Sequence, residues 1–263
     1  MKIDGHIHTP FCPHGSTDTF EQYIEKAIAE NFDVITFTEH APLPASFIDP
    51  TPMQDSGMAI HVMDAYFEKL NFLKKQYADQ ITIRIGLEVD YIKGYEAETT
   101  ALLNTYGPLL DDSILSVHFL QHNDAYTCID YSKEVYLDFA QAVGSIQTMY
   151  EMYYATVLAS IEADLGPYKP KRIGHPTLIH KFQLAHTEQI DDQQTIEHLL
   201  LAIKHKGYEL DFNSAGLNKP FCNETYPPIT YKPFIQKYEI PYTFGSDAHI
   251  VVDLHKHYDI VNK

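Results

Sequence analysis

At 263 residues, 44% of them hydrophobic, the chain suits either one large α/β domain or two small ones, with enough apolar material for a sizeable core. A formal charge of −17 repels polyphosphate backbones, so extended nucleic acid is excluded as an expected partner, whereas a small phosphorylated molecule carrying positive charge is not. No apolar run approaches the ~20 residues of a membrane span, and Asp4, Gly5 and His6 interrupt any signal-peptide core, so a cytoplasmic protein without membrane contact is expected.

Residues 2–8 alternate as a short strand does, and a Pro/Cys/Gly-rich loop follows to Gly15. Cys12 in that loop either binds metal or packs the turn. Cys12, Cys128 and Cys222 show no CxxC spacing, so neither a disulfide framework nor a thiolate zinc site is expected. Asp18 with Glu21 reads as a capping box opening a helix that runs to Glu30, its apolar face formed by Phe20, Ile24, Ala27 and Ile28. The β-branched run 33–40 is a second strand, and a Pro-rich stretch at 42–52 leads to a helix over about 62–77.

Strand 81–88, helix 96–106 and strand 113–118 come next. Residues 132–164, rich in Tyr, Ala and Met and free of proline until Pro167, form one long helix or two consecutive ones. Strand 172–175, helix 192–205, strand 208–213, helix 231–238 and strand 242–247 complete the chain. Seven short strands alternating with helices predict a parallel sheet, open or closed into a barrel, in a single domain spanning 1–263.

These strands end at His6/His8, His40, Glu88, His118, His175, Asn213 and Asp247/His249. Parallel α/β proteins carry their sites at the carboxyl ends of strands, so the alignment selects these histidines from the 15 in the chain. His6 and His8, two apart on a strand, point to one face and can reach one ion. Glu88 has two oxygens with which to bridge neighbouring ions, and Asp247-Ala-His249 adds a second pair at the same spacing.

The other histidines (His61, His122, His180, His186, His198, His205, His255 and His257) fall on predicted helices or loops and are read as exposed background. The tyrosines of 150–154 are read as helix core. Arg172, three residues before His175, is a candidate phosphate contact or a structural ion pair. Lys181 is a second phosphate candidate, and Asn213 either orients substrate or caps a turn.

The segments His6-Ile-His8, Pro13-His-Gly15, Thr38-Glu-His40, Gly86-Leu-Glu88, Ser116-Val-His118, Gly174-His-Pro176 and Gly245-Ser-Asp-Ala-His249 together resemble the polymerase and histidinol phosphatase (PHP) family. The stretches 4–15 and 210–216 are most similar to its histidinol-phosphate phosphatase branch. The resemblance covers essentially the whole chain and implies a distorted (β/α)7 TIM-like barrel with three divalent metal ions, drawn from Zn, Fe and Mn. Carried over, His6, His8, Glu88 and Asp247 hold one ion, Glu88, His118 and His175 a second, and His14, His40 and His249 the third. Glu39, beside a ligand, is expected to support the site from behind.

The activity so implied is hydrolysis of L-histidinol phosphate in histidine biosynthesis, by attack on phosphorus of a hydroxide that bridges two ions. Glu88, Asp247 and His249 are the expected catalytic groups, with Asp247 or His249 returning a proton to the leaving alcohol. Asp90, Asp211 and Glu224 are candidate partners for the substrate ammonium. The alternatives are a phosphoesterase of the same fold acting on another small ester or a nucleotide, and a metal-storing or metal-sensing protein. Storage needs no oriented nucleophile, and so leaves a shared glutamate among ligands from many strands without a purpose.

Overall fold

The computed structural model describes residues 1–262 and has seven parallel strands in one sheet. They are β1 (Ile3–Ile7), β2 (Val34–His40), β3 (Thr82–Asp90), β4 (Ile114–Ser116), β7 (Arg172–Ile173), β8 (Glu209–Asn213) and β9 (Tyr242–Gly245), hydrogen-bonded in that order. The outer strands meet as well. Asp247 N donates to His6 O (2.8 Å) and His8 N to Ala248 O (3.0 Å), which nearly closes the sheet into a barrel.

Every residue of β2 is buried, as in a strand lined on one face by the barrel interior and on the other by helices. The surrounding helices are α1 (Phe20–Ala29), α2 (Met63–Gln76), α3 (Glu96–Tyr106), α4 (Lys133–Val143), α5 (Ile146–Glu162), α6 (Gln193–His205), α7 (Lys232–Lys237) and α8 (Tyr258–Asn262). In α1, Phe20, Tyr23, Ile24 and Ala27 recur at helical spacing and are all buried, so one stripe seals against the sheet. Among the described residues, no helix is long and apolar enough to cross a membrane.

Several local expectations are revised. The capping box of α1 is Thr19 with Gln22, not Asp18 with Glu21; Asp18 instead accepts from Val251 N (2.7 Å). The region 132–164 resolves into two helices. Gly144 ends α4 with φ 106°, a left-handed conformation that suits glycine, and Ser145 caps α5. Between β4 and α4 lies an unforeseen antiparallel hairpin, β5 (Phe119–His122) and β6 (Ala125–Cys128). Tyr150, Tyr153 and Tyr154 are buried on α5, as read from the sequence.

Of the two readings of Arg172, the structural ion pair is the one the geometry supports and the phosphate contact is not. Its guanidinium does not reach the strand-end histidines. Nη2 donates to Gly5 O (3.0 Å) and to Asp112 Oδ2 (2.7 Å), and the side chain is 2% exposed, closing the amino-terminal end of the barrel. Gly5 makes room for it: a methyl group there would stand 2.0 Å from Arg172 Nη1 and 2.5 Å from Thr243 Cγ2. Gly5→Ala is therefore expected to destabilise the fold by about 1–3 kcal/mol through overpacking, read as a lower urea midpoint with an unchanged m-value.

Candidate metal centre

The strand ends converge on Glu88, at the carboxyl end of β3 and 1% exposed. Its two oxygens serve different histidines. Oε2 lies 3.4 Å from His6 Nε2, 3.6 Å from His8 Nε2 and 3.1 Å from His40 Nδ1. Oε1 lies 2.8 Å from His175 Nε2 and 3.7 Å from His118 Nε2, and accepts from Ser116 Oγ at 2.6 Å. Asp247 closes the first group, its Oδ1 3.1 Å from His8 Nε2 and 3.7 Å from His6 Nε2. Asp247 and His175 carry positive φ (53° and 22°), a strained backbone that local packing has to hold in place.

The inward nitrogens are selected from behind. His6 Nδ1 lies 2.9 Å from Asp211, His8 Nδ1 3.0 Å from Glu39 and His118 Nδ1 2.8 Å from Asp90. A carboxylate on Nδ1 fixes the proton there and turns the Nε2 lone pair inward, the usual support of a metal-binding imidazole. His6 Nε2 and both ring nitrogens of His40 are buried without a hydrogen-bond partner. Unpartnered imidazole nitrogens set among buried carboxylates fit divalent transition ions.

Three groups have ligand atoms within 4.8 Å of one another: His6, His8 and Asp247; Glu88, His118 and His175; and His8, Cys12, His40 and His249. His14 falls outside these groups but beside the third, its ring centre 4.9 Å from that of His40 and 5.2 Å from that of His249; its Nδ1 faces Asp55 O at 2.8 Å.

Charge follows the same geometry. Burial opposes protonation of His8 and His118, but the carboxylates around them prevail: Asp247 and Glu39 raise His8 to about 9, and Asp90 and Glu88 raise His118 to about 10. Burial alone would raise Glu88 and Asp247; the surrounding histidines hold both well below the usual carboxylate range. The pocket thus stores protons where a divalent cation would serve the same anions.

A cavity of about 430 Å³ opens over the cluster, its far wall including Phe119, Asp130, Leu178, Lys181 and Tyr226. Lys181 Nζ donates to Asp130 Oδ2 at 2.8 Å. Asn213 is wholly buried; its Nδ2 donates to Asp211 Oδ2 (3.1 Å) and Asp247 Oδ2 (3.3 Å), so it orients the cluster rather than facing the cavity. The three candidates for the substrate ammonium are engaged elsewhere: Asp211 and Asp90 back histidines, and Glu224 hydrogen-bonds His180.

The discounted histidines divide. His61, His198 and His205 are exposed, but His180 and His255 are 6% exposed, His180 held between Asp192 and Glu224 and His255 stacked on Phe32 and bonded to Glu30. Asp90 was open to recognition as support, since it lies two residues beyond Glu88 on one strand and so shares its face; Asp211 stands likewise two before Asn213. Nothing local marks Asp130, which the unforeseen hairpin delivers.

Residues 4–215 match the model of the PHP domain family. The chain belongs to the PHP family. Within it, the chain is 49% identical over 256 residues to the histidinol-phosphatase of Bacillus subtilis (strain 168), covering 97% of this chain and 96% of that protein. A crystal structure assigned as a histidinol phosphatase from Listeria monocytogenes superposes with a TM-score of 0.92 at 41% identity, covering 98% of this chain and 99% of that one. The Lactococcus lactis histidinol phosphate phosphatase, crystallised with zinc, L-histidinol and phosphate, shares the PHP fold at a TM-score of 0.75 and 20% identity, over 99% of this chain and 92% of its own.

Two outcomes follow from the supporting carboxylates and the stored protons. Asp90→Ala, which frees His118 Nδ1, is expected to weaken divalent-metal affinity about 10–100-fold while far-UV circular dichroism stays unchanged. Ligation requires neutral imidazole, and the raised values of His8 and His118 mean that protons leave as metal binds. Affinity in chelator competition should therefore rise between about pH 6 and about pH 8, by up to about tenfold per pH unit for each proton displaced. A flat profile would place those protons elsewhere.

Proposed function

We propose that the protein is a histidinol-phosphatase, hydrolysing L-histidinol phosphate to L-histidinol and phosphate. The observation that carries this reading is Glu88 dividing its oxygens between two histidine groups beneath a cavity suited to a small ester, in a chain 49% identical to the Bacillus subtilis enzyme over nearly its full length. The zinc, L-histidinol and phosphate bound by the Lactococcus lactis protein support the same ligands here. The whole chain acts as one domain on this reading, because β8 and β9 complete the barrel around and beyond residue 215, where the family match ends.

Three divalent ions (zinc, iron or manganese) suit the donors. His6, His8, Glu88 and Asp247 would hold one, Glu88, His118 and His175 a second, and His14, His40 and His249 the third. Bound there, such ions supply Lewis acidity toward phosphate oxygens and lower the pKa of water at the site. The protein's part is positioning. Glu88 keeps two ligand groups at fixed separation, and Asp211, Glu39 and Asp90 hold the rings that face it.

Lys181 has only one of its three donors engaged, by Asp130, so the others can take a phosphate oxygen. Asp247 and His249, with side chains 17% and 30% exposed, stand at the cavity edge and are the groups available to return a proton to the leaving alkoxide. Phe119 and Leu178 give the alcohol an apolar wall.

Steady-state assay of the metal-loaded protein should give a kcat/KM for histidinol phosphate well above those for sugar and nucleotide phosphates; equal values would sink the assignment. Glu88→Ala should lose bound metal and turnover together, and full activity in that variant would refute its bridging role.

A further inference from the structure

The substrate read above carries two charges near each other, a phosphate ester and an ammonium on the neighbouring carbon. The metal cluster answers the first. The cavity wall offers an answer to the second in the ion pair between Asp130 and Lys181, both of which line it. Asp130 follows directly on the β5–β6 hairpin, which Ile129 N ties back to His118 O (3.0 Å). Lys181 lies in the 3-10 turn after His175. Both side chains are about one-fifth exposed, at 19% and 21%, and line the cavity. Asp130 Oδ1 accepts from Cys128 Sγ (3.3 Å), which fixes the carboxylate plane, while Oδ2 holds the Lys181 ammonium at 2.8 Å.

We propose that Asp130 is the ammonium subsite of this enzyme, and that substrate enters by exchanging with the Asp130–Lys181 pair. The phosphate draws Lys181 toward itself, and the substrate ammonium takes the position Lys181 Nζ leaves at Asp130 Oδ2. Two ion pairs replace one, with alternating signs, so neither partner is left as an unpaired charge in a half-buried wall. The inference rests on the histidinol-phosphate reading and identifies what selects that ester from other small phosphates. A carboxylate already binding a primary ammonium at 2.8 Å has the required geometry, and hydrogen bonds to charged groups are the stronger class.

Two other carboxylates of the lining compete: Asp253, which pairs with Lys256, and Asp55. Asp55 lines the same cavity on the His14 side, and its side chain has no hydrogen bond or ion pair among the described residues. Among the described residues no ammonium or thiol donor orients its side chain, as Lys181 and Cys128 orient that of Asp130.

The test compares kcat/KM for histidinol phosphate with that for imidazolylpropyl phosphate, the same ester without the amine, in wild type, Asp130→Asn and Asp55→Asn. Wild type should prefer the amine-bearing ester. Asp130→Asn should reduce that preference by about 10–100-fold, the worth of one charge-assisted hydrogen bond. Asp55→Asn should keep it. Turnover of the amine-free ester by Asp130→Asn reports that the variant is folded and metal-loaded. Equal losses on both esters in Asp130→Asn, or a preference abolished by Asp55→Asn instead, would overturn the subsite while leaving the histidinol-phosphatase assignment intact. No turnover of histidinol phosphate by wild type would overturn the assignment and the subsite together.

Discussion

The structure turns on a carboxylate where an apolar barrel would not tolerate one. Glu88 is 1% exposed, and a buried ionised carboxylate without compensating partners costs far more than a marginally stable fold can supply. Its partners come from four other strands or their ends: His6 in β1 and His8 just after it, His40 from β2, His118 after β4 and His175 after β7. Three of those rings, His6, His8 and His118, are in turn anchored by Asp211, Glu39 and Asp90. Each layer of charge thus requires the next, and the outermost layer is carried by β2, β3 and β8.

Barrel closure and the site consequently share residues. The backbone bonds that join the two outer strands run from Asp247 N to His6 O and from His8 N to Ala248 O, so members of the cluster also form the seam. The left-handed backbone at Asp247 has its side chain answered by His8 and Asn213. The opposite end of the barrel solves its own burial problem with Arg172, Asp112 and the space left by Gly5. One end buries charge in a closed structural pair; the other leaves imidazole lone pairs turned inward, which makes it the reactive end.

Segments outside the barrel shape the cavity. The β5–β6 hairpin brings in Asp130, and the 3-10 turn over Leu178–Ala185 brings Lys181 to meet it. That turn is pinned by His180, whose ring sits between Asp192 and Glu224 with Tyr154 alongside. A histidine outside the candidate metal groups therefore helps fix the turn that carries the cavity-lining Lys181. Such loops can differ among members of a family while the cluster beneath them stays the same, since chemistry and selection reside in different layers.

The sequence by itself determined the strand–helix alternation and the seven strands of the barrel, and it pointed to strand-end residues such as His6 and His8, because positions two apart on a strand share a face whatever the rest of the chain does. It also marked β2 through its β-branched residues and α1 through helical spacing of its apolar residues. It could not place Arg172, whose role depends on Gly5 and Asp112, residues 167 and 60 positions away. Nor could it separate Cys12 and His180 from background, since the one joins His8, His40 and His249 and the other joins Asp192 and Glu224 only once the loops are packed. Local periodicity fixes which way a side chain points. What it meets there is decided by loop closure between distant segments, and that is a property of the tertiary structure alone.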